Sequence, residues 1–245
     1  MKNLILATSM LALTAGTAFA ESHAKTIRMG TEGAYPPYNF LNDSGEVDGY
    51  EREIGDELCA RAELTCEWVT NEWDSIIPNL TSGNYDTIIA GMSITDEREE
   101  VIDFTQNYMP PTASAYAALS ADADISGGVI AAQTSTIQAG YVAESGATLL
   151  EFATYDETVA AVRNGEADAV FADKDALVPA VDESGGELVF VGDDVPLGGG
   201  IGMGLRESDT ELKAKFDAAI QSMKDDGTIN AAIKKWFGDD AKIFE

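Results

Sequence analysis

Residues 91–98 read Gly-Met-Ser-Ile-Thr-Asp-Glu-Arg. This stretch joins a predicted strand to a predicted helix and carries the first candidate binding residues. It follows a strand-like run at 86–90 and opens a short polar helix. Ser93 and Thr95 can turn hydroxyls and backbone N–H groups toward a ligand, and a helix start near Thr95 suits an anion. Arg98 lies one turn further on, and its planar guanidinium matches a carboxylate. The stretch therefore predicts a site for the carboxylate of an amino acid.

The same residues allow a second interpretation without a ligand. Thr95 could cap the helix, and Arg98 could pair with Glu99 or Glu100 on a solvated face. Taken alone, the eight residues favour this alternative slightly. The surrounding chain reverses that preference.

The first residues have the pattern of a cleaved secretory signal. Lys2 supplies the positive charge, 4–15 is an apolar run, and 18–20 is an A-x-A cleavage site. The apolar run is too short to span a bilayer comfortably. We therefore expect 1–20 to be a signal peptide that is cleaved after Ala20. The chain of 245 residues leaves enough for one large domain or two small ones.

Export permits disulfides, and the chain has two cysteines, Cys59 and Cys66. With only two, their pairing is unambiguous, and the small loop gives a stabilisation of about 2–3 kcal/mol in the chain-entropy model. The alternative is two buried free thiols. The single histidine, His23, falls in the N-terminal tail, which argues against a metal site.

The formal net charge is −28, and removal of the predicted signal makes it one unit more negative. Such a chain repels nucleic acid and anionic membranes. A solvated acidic surface also keeps an exported protein soluble, so the charge says little about a ligand.

Strands and helices alternate along the chain, which predicts parallel α/β sheets. Strands are expected at 26–30, 64–69, 85–90, 129–132, 149–152, 169–172, 187–191 and 201–205. Helices are expected at 50–62, 73–80, 136–143, 157–164 and 174–181, and in two further segments before and after Gly227. The segment 31–38 is expected to be a loop because it carries two prolines and a glycine. Ser208 and Glu211 predict a capping box at the start of the penultimate helix.

Two segments could cross between lobes, one near Pro110 and one near Val195. The predicted organisation is a first lobe of 21–110 and 196–245 and a second lobe of 111–195. Loops at the carboxyl ends of the strands would then face a cleft, where open α/β sheets bind ligands.

Several motifs together resemble one family over essentially the whole mature chain. They are the segments 30–38, 49–50, 73–78, 91–98 and 101–105, with the two cysteines. The chain resembles the amino-acid-binding periplasmic solute-binding proteins that feed ABC importers, and most closely the lysine/arginine/ornithine- and histidine-binding proteins. The resemblance implies an α/β, two-lobe periplasmic binding protein fold of type II-like topology, with the ligand cleft between lobes and two crossing segments. It also implies a periplasmic location, an ABC permease as partner, no cofactor and no catalysis.

The resemblance implies roles for residues at one end of a ligand. Arg98 matches the carboxylate-binding arginine, and Ser93 matches a serine that binds the same ligand. Gly91 matches a position whose carbonyl accepts from the ligand's amino group. The turn at 133–136 matches a helix N-terminus at the carboxylate, with Thr136 as the contact.

Four more positions match groups around the ammonium and the side chain. Asp173 matches the acid that binds the α-ammonium, and Tyr35 and Trp73 match aromatics that sandwich the side chain. Glu32 matches an acid that reaches the far end of a cationic ligand. Each has an alternative, since the aromatics could be ordinary core and Asp173 could cap the helix from Lys174. Glu32, taken alone, fits a solvated loop acid.

The chain departs from the lysine/arginine/ornithine pattern at three positions. Ala90 and Gly91 replace two serines, which removes ligand hydrogen bonds, and Glu51 replaces an aspartate. The ligand class therefore stays an amino acid, but arginine, lysine, ornithine, histidine and an opine remain open, as do neutral and acidic amino acids.

The leading hypothesis is non-catalytic capture by a monomer, in which the lobes close over the free amino acid and the closed form docks on the permease. A second hypothesis is a dehydratase of the cyclohexadienyl or arogenate type on the same fold. The chain offers it little, since the body of the chain has no histidine and 198–200 lacks the context of a phosphate loop. A third is a ligand sensor presented to a receptor.

Overall fold

The computed structural model describes residues 25–245. The predicted signal peptide, its cleavage site and His23 lie outside these residues. The strands are β1 Ile27–Thr31, β2 Ala34–Tyr35, β3 Asn39–Leu41, β4 Val47–Asp48, β5 Cys66–Thr70, β6 Thr87–Ile88, β7 Asp103–Phe104, β8 Ala113–Ala118, β9 Val129–Gln133, β10 Thr148–Phe152, β11 Ala169–Asp173, β12 Val189–Pro196 and β13 Gly204–Leu205. The helices are α1 Tyr50–Arg61, α2 Ile76–Thr81, α3 Asp96–Glu99, α4 Ile137–Ser145, α5 Tyr155–Arg163, α6 Lys174–Glu183, α7 Thr210–Asp225 and α8 Thr228–Phe237, with a short 3₁₀ turn at Trp73–Ser75 before α2.

Two five-stranded sheets form the two lobes. The first has the order β5-β1-β6-β13-β7, and the second has the order β10-β9-β11-β8-β12. The predicted α/β architecture is therefore confirmed, with helices of each half packed on its own sheet. A small third sheet has the order β2-β3-β4, and its first strand, β2, lies within the segment 31–38 that is predicted to be a loop.

The prediction of parallel sheets is wrong in part, because both sheets are mixed. In the first, β1 runs parallel to β5 and β6, but β13 runs antiparallel to β6 and β7. In the second, β8 runs antiparallel to β11 and β12. The reversed strands are those next to the crossings, where a strand enters its sheet without the right-handed crossover helix that parallel pairing needs.

The chain passes from the first sheet to the second between β7 and β8 and returns between β12 and β13. The two crossing segments lie side by side, since the Ile201 N–H donates to the Met109 carbonyl at 3.1 Å. This agrees with crossings near Pro110 and Val195. The lobe boundaries at 110/111 and 195/196 stay a prediction.

The start of α7 differs from the predicted capping box. The helix begins at Thr210, so Asp209 holds the N-cap position, with no side-chain hydrogen bond to the first turn. Glu211 is then the second helical residue, too early to reach back as a capping box requires. The inward face of α7 is apolar, since Phe216, Ile220 and Met223 are fully buried.

The disulfide between Cys59 and Cys66 is present, with 6.3 Å between the Cα atoms. It ties the end of α1 to the first residue of β5, the edge strand of the first sheet. The pairing prediction is confirmed, and the alternative of two free thiols is wrong. Within residues 25–245, no helix combines the length and the apolar character needed to cross a membrane.

Candidate functional site

A cavity lies between the lobes, beside the ends of β1, β9 and β11, and about 320 Å³ of atom-free space, part of it open to solvent, adjoins its wall. The eight residues predicted from the sequence all line it, namely Glu32, Tyr35, Trp73, Gly91, Ser93, Arg98, Thr136 and Asp173. Ala90, Gln133, Ile137 and Gln138 complete the lining. The structure therefore brings together residues that are up to 141 positions apart in the chain.

Arg98 is turned into the cavity from the four-residue helix α3. Its Nη1 donates to the Ser93 carbonyl at 2.7 Å, and its Nη2 donates to the Ser135 carbonyl at 3.3 Å in the other lobe. The guanidinium also lies over the Trp73 ring, 5.5 Å from its centroid. Burial lowers the pKa of Arg98 to about 10, so the group is charged at neutral pH and poorly solvated. Such a cation attracts a carboxylate strongly.

The solvated alternative for residues 91–98 is half right. Thr95 caps α3, and its hydroxyl accepts from the Arg98 N–H at 3.2 Å. Its side chain is therefore occupied, and Thr95 does not line the cavity. Neither Glu99 nor Glu100 forms an ion pair with Arg98 in the described chain, because that side chain points the other way.

Two features of the backbone favour glycine at position 91. Its φ is +61°, in the left-handed region that disfavours residues with a Cβ. A Cβ there would also stand 3.2 Å from the Tyr35 ring. Its N–H donates to the carboxylate of Glu51 at 2.6 Å, which fixes the orientation of this turn.

The second lobe contributes the N-terminus of α4. Thr136 is its N-cap and accepts from the Ala139 N–H at 3.1 Å, while its own hydroxyl donates to the Gln133 carbonyl at 2.6 Å. The first turn of α4 thus faces the cavity with free backbone N–H groups, a geometry that suits an anion.

Asp173 occupies the N-cap position of α6 but makes no capping hydrogen bond. Its carboxylate instead accepts from the Tyr35 hydroxyl at 2.7 Å and from the Gln138 amide at 2.8 Å. Burial raises the pKa of Asp173 to about 6, although these two hydrogen bonds oppose the rise. The alternative role as a helix cap is therefore wrong, and the carboxylate is directed at the cavity.

Glu32 lies in the cavity wall rather than on a solvated loop. Its Oε1 accepts from the Gln133 amide at 2.7 Å, across the gap between lobes. Burial, helped by the charges of Glu72 and Glu51 and opposed by the hydrogen bond from Gln133, raises the pKa of Glu32 to about 7. No lysine or arginine of the described chain forms an ion pair with it. Glu32 is thus an acid that lacks a cation.

Tyr35 and Trp73 are both 8% exposed and both line the cavity. Tyr35 stacks on Tyr38 with ring centroids 5.6 Å apart, and meets Tyr155 edge-on. Each aromatic is therefore core on one side and cavity wall on the other. Their role around a ligand side chain stays a prediction.

The sequence reasoning missed the two glutamines as site residues. Gln133 and Gln138 are 7% and 4% exposed, and each uses its amide to hold one of the two cavity acids. Both flank Thr136, so their position in the same turn was a usable signal. Their partners, however, are distant in sequence. Among the described residues, no cluster of His, Cys, Asp or Glu could hold a metal ion.

Solved structures place this geometry in a class of proteins. A periplasmic His/Glu/Gln/Arg/opine family-binding protein from Silicibacter pomeroyi, in complex with lysine, is 79% identical and superposes with a TM-score of 0.88, covering 89% of this chain and all of that one. An ancestral arginine-binding protein bound to arginine is 28% identical, with a TM-score of 0.80 over 87% of this chain and 98% of its own. The class is therefore the two-lobe periplasmic binding proteins.

The family follows from the sequence. Residues 27–239 match the bacterial extracellular solute-binding proteins, family 3, and the chain belongs to that family. An octopine-binding periplasmic protein of Rhizobium meliloti is 32% identical, over 93% of this chain and 94% of its own. The lysine/arginine/ornithine-binding periplasmic protein of Escherichia coli K12 is 30% identical, over 97% of both chains.

Proposed function

We propose that this protein captures a cationic L-amino acid, with arginine, lysine, ornithine and histidine as the candidates, and delivers it to an ABC permease. Arg98, Ser93 and the N-terminus of α4 at Thr136 bind the α-carboxylate. Asp173 and the Gly91 carbonyl bind the α-ammonium. Tyr35 and Trp73 enclose the side chain, and Glu32 receives its distal charge.

The observation that carries the proposal is the charge balance of the cavity wall. Among the described residues that line it, Arg98 is a cation, and Glu32 and Asp173 are acids. A cationic amino acid offers one carboxylate and two positive groups, so each wall charge gains a partner. A neutral amino acid would leave Glu32 desolvated and unpaired, which is costly. Stacking of the cation on the aromatics adds about 0.5–2 kcal/mol.

The relatives support a cationic ligand. Two relatives from Escherichia coli are named for lysine, arginine and ornithine or for histidine, and the protein at 79% identity was solved with lysine. The name of that protein also covers Glu, Gln and opines, and another relative is named for octopine, so these ligands belong in the test. Relatives named as periplasmic support export, and the A-x-A pattern at 18–20 is what supports cleavage after Ala20. We place lobe 1 at 21–110 and 196–245 and lobe 2 at 111–195, with the protein acting as a monomer. Closure of these lobes would form the surface that the permease binds.

The test is a calorimetric titration of refolded, ligand-stripped protein with arginine, lysine, ornithine, histidine, glutamine and octopine. We expect the cationic amino acids to bind more tightly than glutamine. Glu32→Gln should lower the affinity for arginine by about 100-fold, because it removes one partner of a buried charge pair. The affinity for glutamine should fall by far less.

Glu46→Gln is the matched control, since Glu46 is exposed on the β3–β4 hairpin, and it should leave both affinities unchanged. If Glu32→Gln lowers the affinities for arginine and glutamine equally, Glu32 does not bind the distal charge of the ligand. Tighter binding of glutamine or octopine by the wild type would overturn the proposed ligand class.

Catalysis is the alternative that the fold permits. One structure at 28% identity and a TM-score of 0.77 is described as an ancestral amino acid-binding protein, a precursor of cyclohexadienyl dehydratase. We propose binding without turnover, because the cavity acids are matched by an amino acid's own charges. Conversion of prephenate or arogenate by the purified protein would contradict this.

A further inference from the structure

A third acid lies behind the cavity wall. Glu51, in the first turn of α1, is fully buried and forms no ion pair in the described part of the chain. It does not line the cavity. It nevertheless contacts Gly91, which does line the cavity.

Three donors surround the Glu51 carboxylate. The Gly91 N–H donates to Oε1 at 2.6 Å, the Tyr108 hydroxyl donates to the same oxygen, and the Asn39 amide donates to Oε2 at 2.7 Å. The Asn39 amide is held in this orientation because its own oxygen accepts from the Gly33 N–H at 2.6 Å. A backbone N–H and an amide so oriented can only donate. Burial raises the pKa of Glu51, and the hydrogen bonds from Tyr108, Gly91 and Asn39 oppose that rise because they stabilise the ionised form.

These contacts also join the parts of the site. Gly91 belongs to the turn that carries Ser93, and Gly33 follows Glu32 directly. Tyr108 lies in the segment that crosses to the second lobe. One buried carboxylate therefore holds the turn under the ligand, the loop of Glu32 and the start of a crossing.

We propose that Glu51 is an ionised specificity-determining residue, which favours a cationic ligand through the charge it places behind the cavity wall without contacting the ligand. The inference rests on the proposed function and deepens it. In a protein interior a unit charge is weakly screened, and Glu51 has no cation of its own to cancel its field. A positive ligand side chain would be stabilised by this charge, whereas the zwitterionic end that all amino acids share would be affected equally in each.

The experiment compares the ratio of arginine to glutamine affinity in four proteins by calorimetry. In Glu51→Gln we expect the ratio to fall about tenfold, the size for a unit charge acting over about 10 Å at an effective dielectric constant near 20. Tyr108→Phe removes one of the three donors but keeps the Gly91 N–H and the Asn39 amide, which still favour the ionised form, so its ratio should stay at the wild-type value. Glu53→Gln makes the same charge change on the exposed side of α1 and should also leave the ratio unchanged.

A purely structural role would weaken both ligands together and leave the ratio constant, and that result in Glu51→Gln would overturn the inference. If the variant does not fold, the Glu51 carboxyl carbon can be followed by NMR in wild-type protein labelled with ¹³C-glutamate. A carboxylate at pH 7 is expected, and a protonated group would overturn the inference. Lack of arginine preference in the wild type would instead refute the proposed function.

Discussion

Two acids at opposite ends of the first sheet show how differently one fold can treat a buried carboxylate. Asp86 precedes β6, and its side chain is 2% exposed. It accepts from Lys25 at 2.7 Å and from the Arg28 backbone N–H at 3.0 Å, and it pairs with Arg206 at 3.4 Å. Glu32 follows β1 at the other end of the sheet, and its partner is the neutral amide of Gln133.

The two environments shift the pKa values of Asp86 and Glu32 in opposite directions. Burial raises the pKa of Asp86, but hydrogen bonds from Arg28 and Lys25 overcome it and hold that pKa well below its usual range. Burial raises the pKa of Glu32 to about 7 because no cation compensates. Asp86 is therefore neutralised by cations of the protein itself, whereas Glu32 has a neutral partner and, in the proposed function, receives the positive group of the ligand. An unpaired buried acid at the carboxyl end of a sheet thus indicates function, and a fully paired one does not.

The largest expected effect is the loss of stability when Asp86, the acid with ion-pair partners, is neutralised. Asp86→Asn leaves Arg28, Lys25 and Arg206 without their common partner, and we expect a loss of about 3–5 kcal/mol in unfolding free energy. Chemical denaturation measures it, and the arginine affinity of the folded variant should not change. A small loss of stability, or a large loss of affinity, would contradict the assignment of Asp86 to stability and of Glu32 to ligand binding.

The second effect tests an acid of the cavity. Asp173→Asn removes the proposed partner of the ligand's ammonium. The affinities for arginine and for glutamine should therefore both fall by at least about 100-fold in calorimetric titration. Stability without ligand should not fall, because the variant removes a charge whose burial is unfavourable. A drop in melting temperature comparable to that of Asp86→Asn would show that Asp173 is structural instead.

The smallest effect is a pH dependence. Because the pKa values of Glu32 and Asp173 are raised to about 7 and about 6, arginine binding must displace protons below neutral pH. Affinity for arginine should therefore rise by about tenfold or more from pH 5 to pH 8 and level off above it. Without ligand, the contribution of Glu32 to stability should fall as pH rises from about 4.5 to about 7, since the folded state holds its proton longer.

Glutamine supplies the control for this measurement. It has no distal cation, so its affinity should depend less on pH through Glu32, and Glu32→Gln should remove the upper part of the arginine profile. Asp86 does not titrate in this range, because its pKa is held low. A flat arginine profile would mean that Glu32 and Asp173 are already ionised at pH 5.

Much of the fold follows from local patterns. The alternation of apolar strands and amphipathic helices predicts the α/β class, and the glycine and proline positions predict the crossings. Strand direction does not follow, because β13 runs antiparallel owing to its entry from the second lobe, which no local pattern encodes. The start of α7 was missed for a different reason, since Ser208 and Asp209 are both good N-caps and the choice between them depends on the tertiary structure.

The candidate site was predictable where a motif carried it. Arg98, Ser93 and Gly91 lie in one stretch, and their placement together is local. Glu32 is different, because its environment depends on Gln133, 101 positions away. Glu51 was noticed only as a departure from an aspartate, since burial and its three donors are visible only in three dimensions.

The strand order has a consequence for the order in which the two sheets can be completed as the chain emerges. The second sheet is built from one continuous stretch, from β8 to β12, and is complete when residue 196 has emerged. In the first sheet, β13 lies between β6 and β7, so these two strands cannot be joined until residues 204–205 arrive. The half that is made first is therefore the half that is finished last, and it needs the carboxyl-terminal part of the chain to close it.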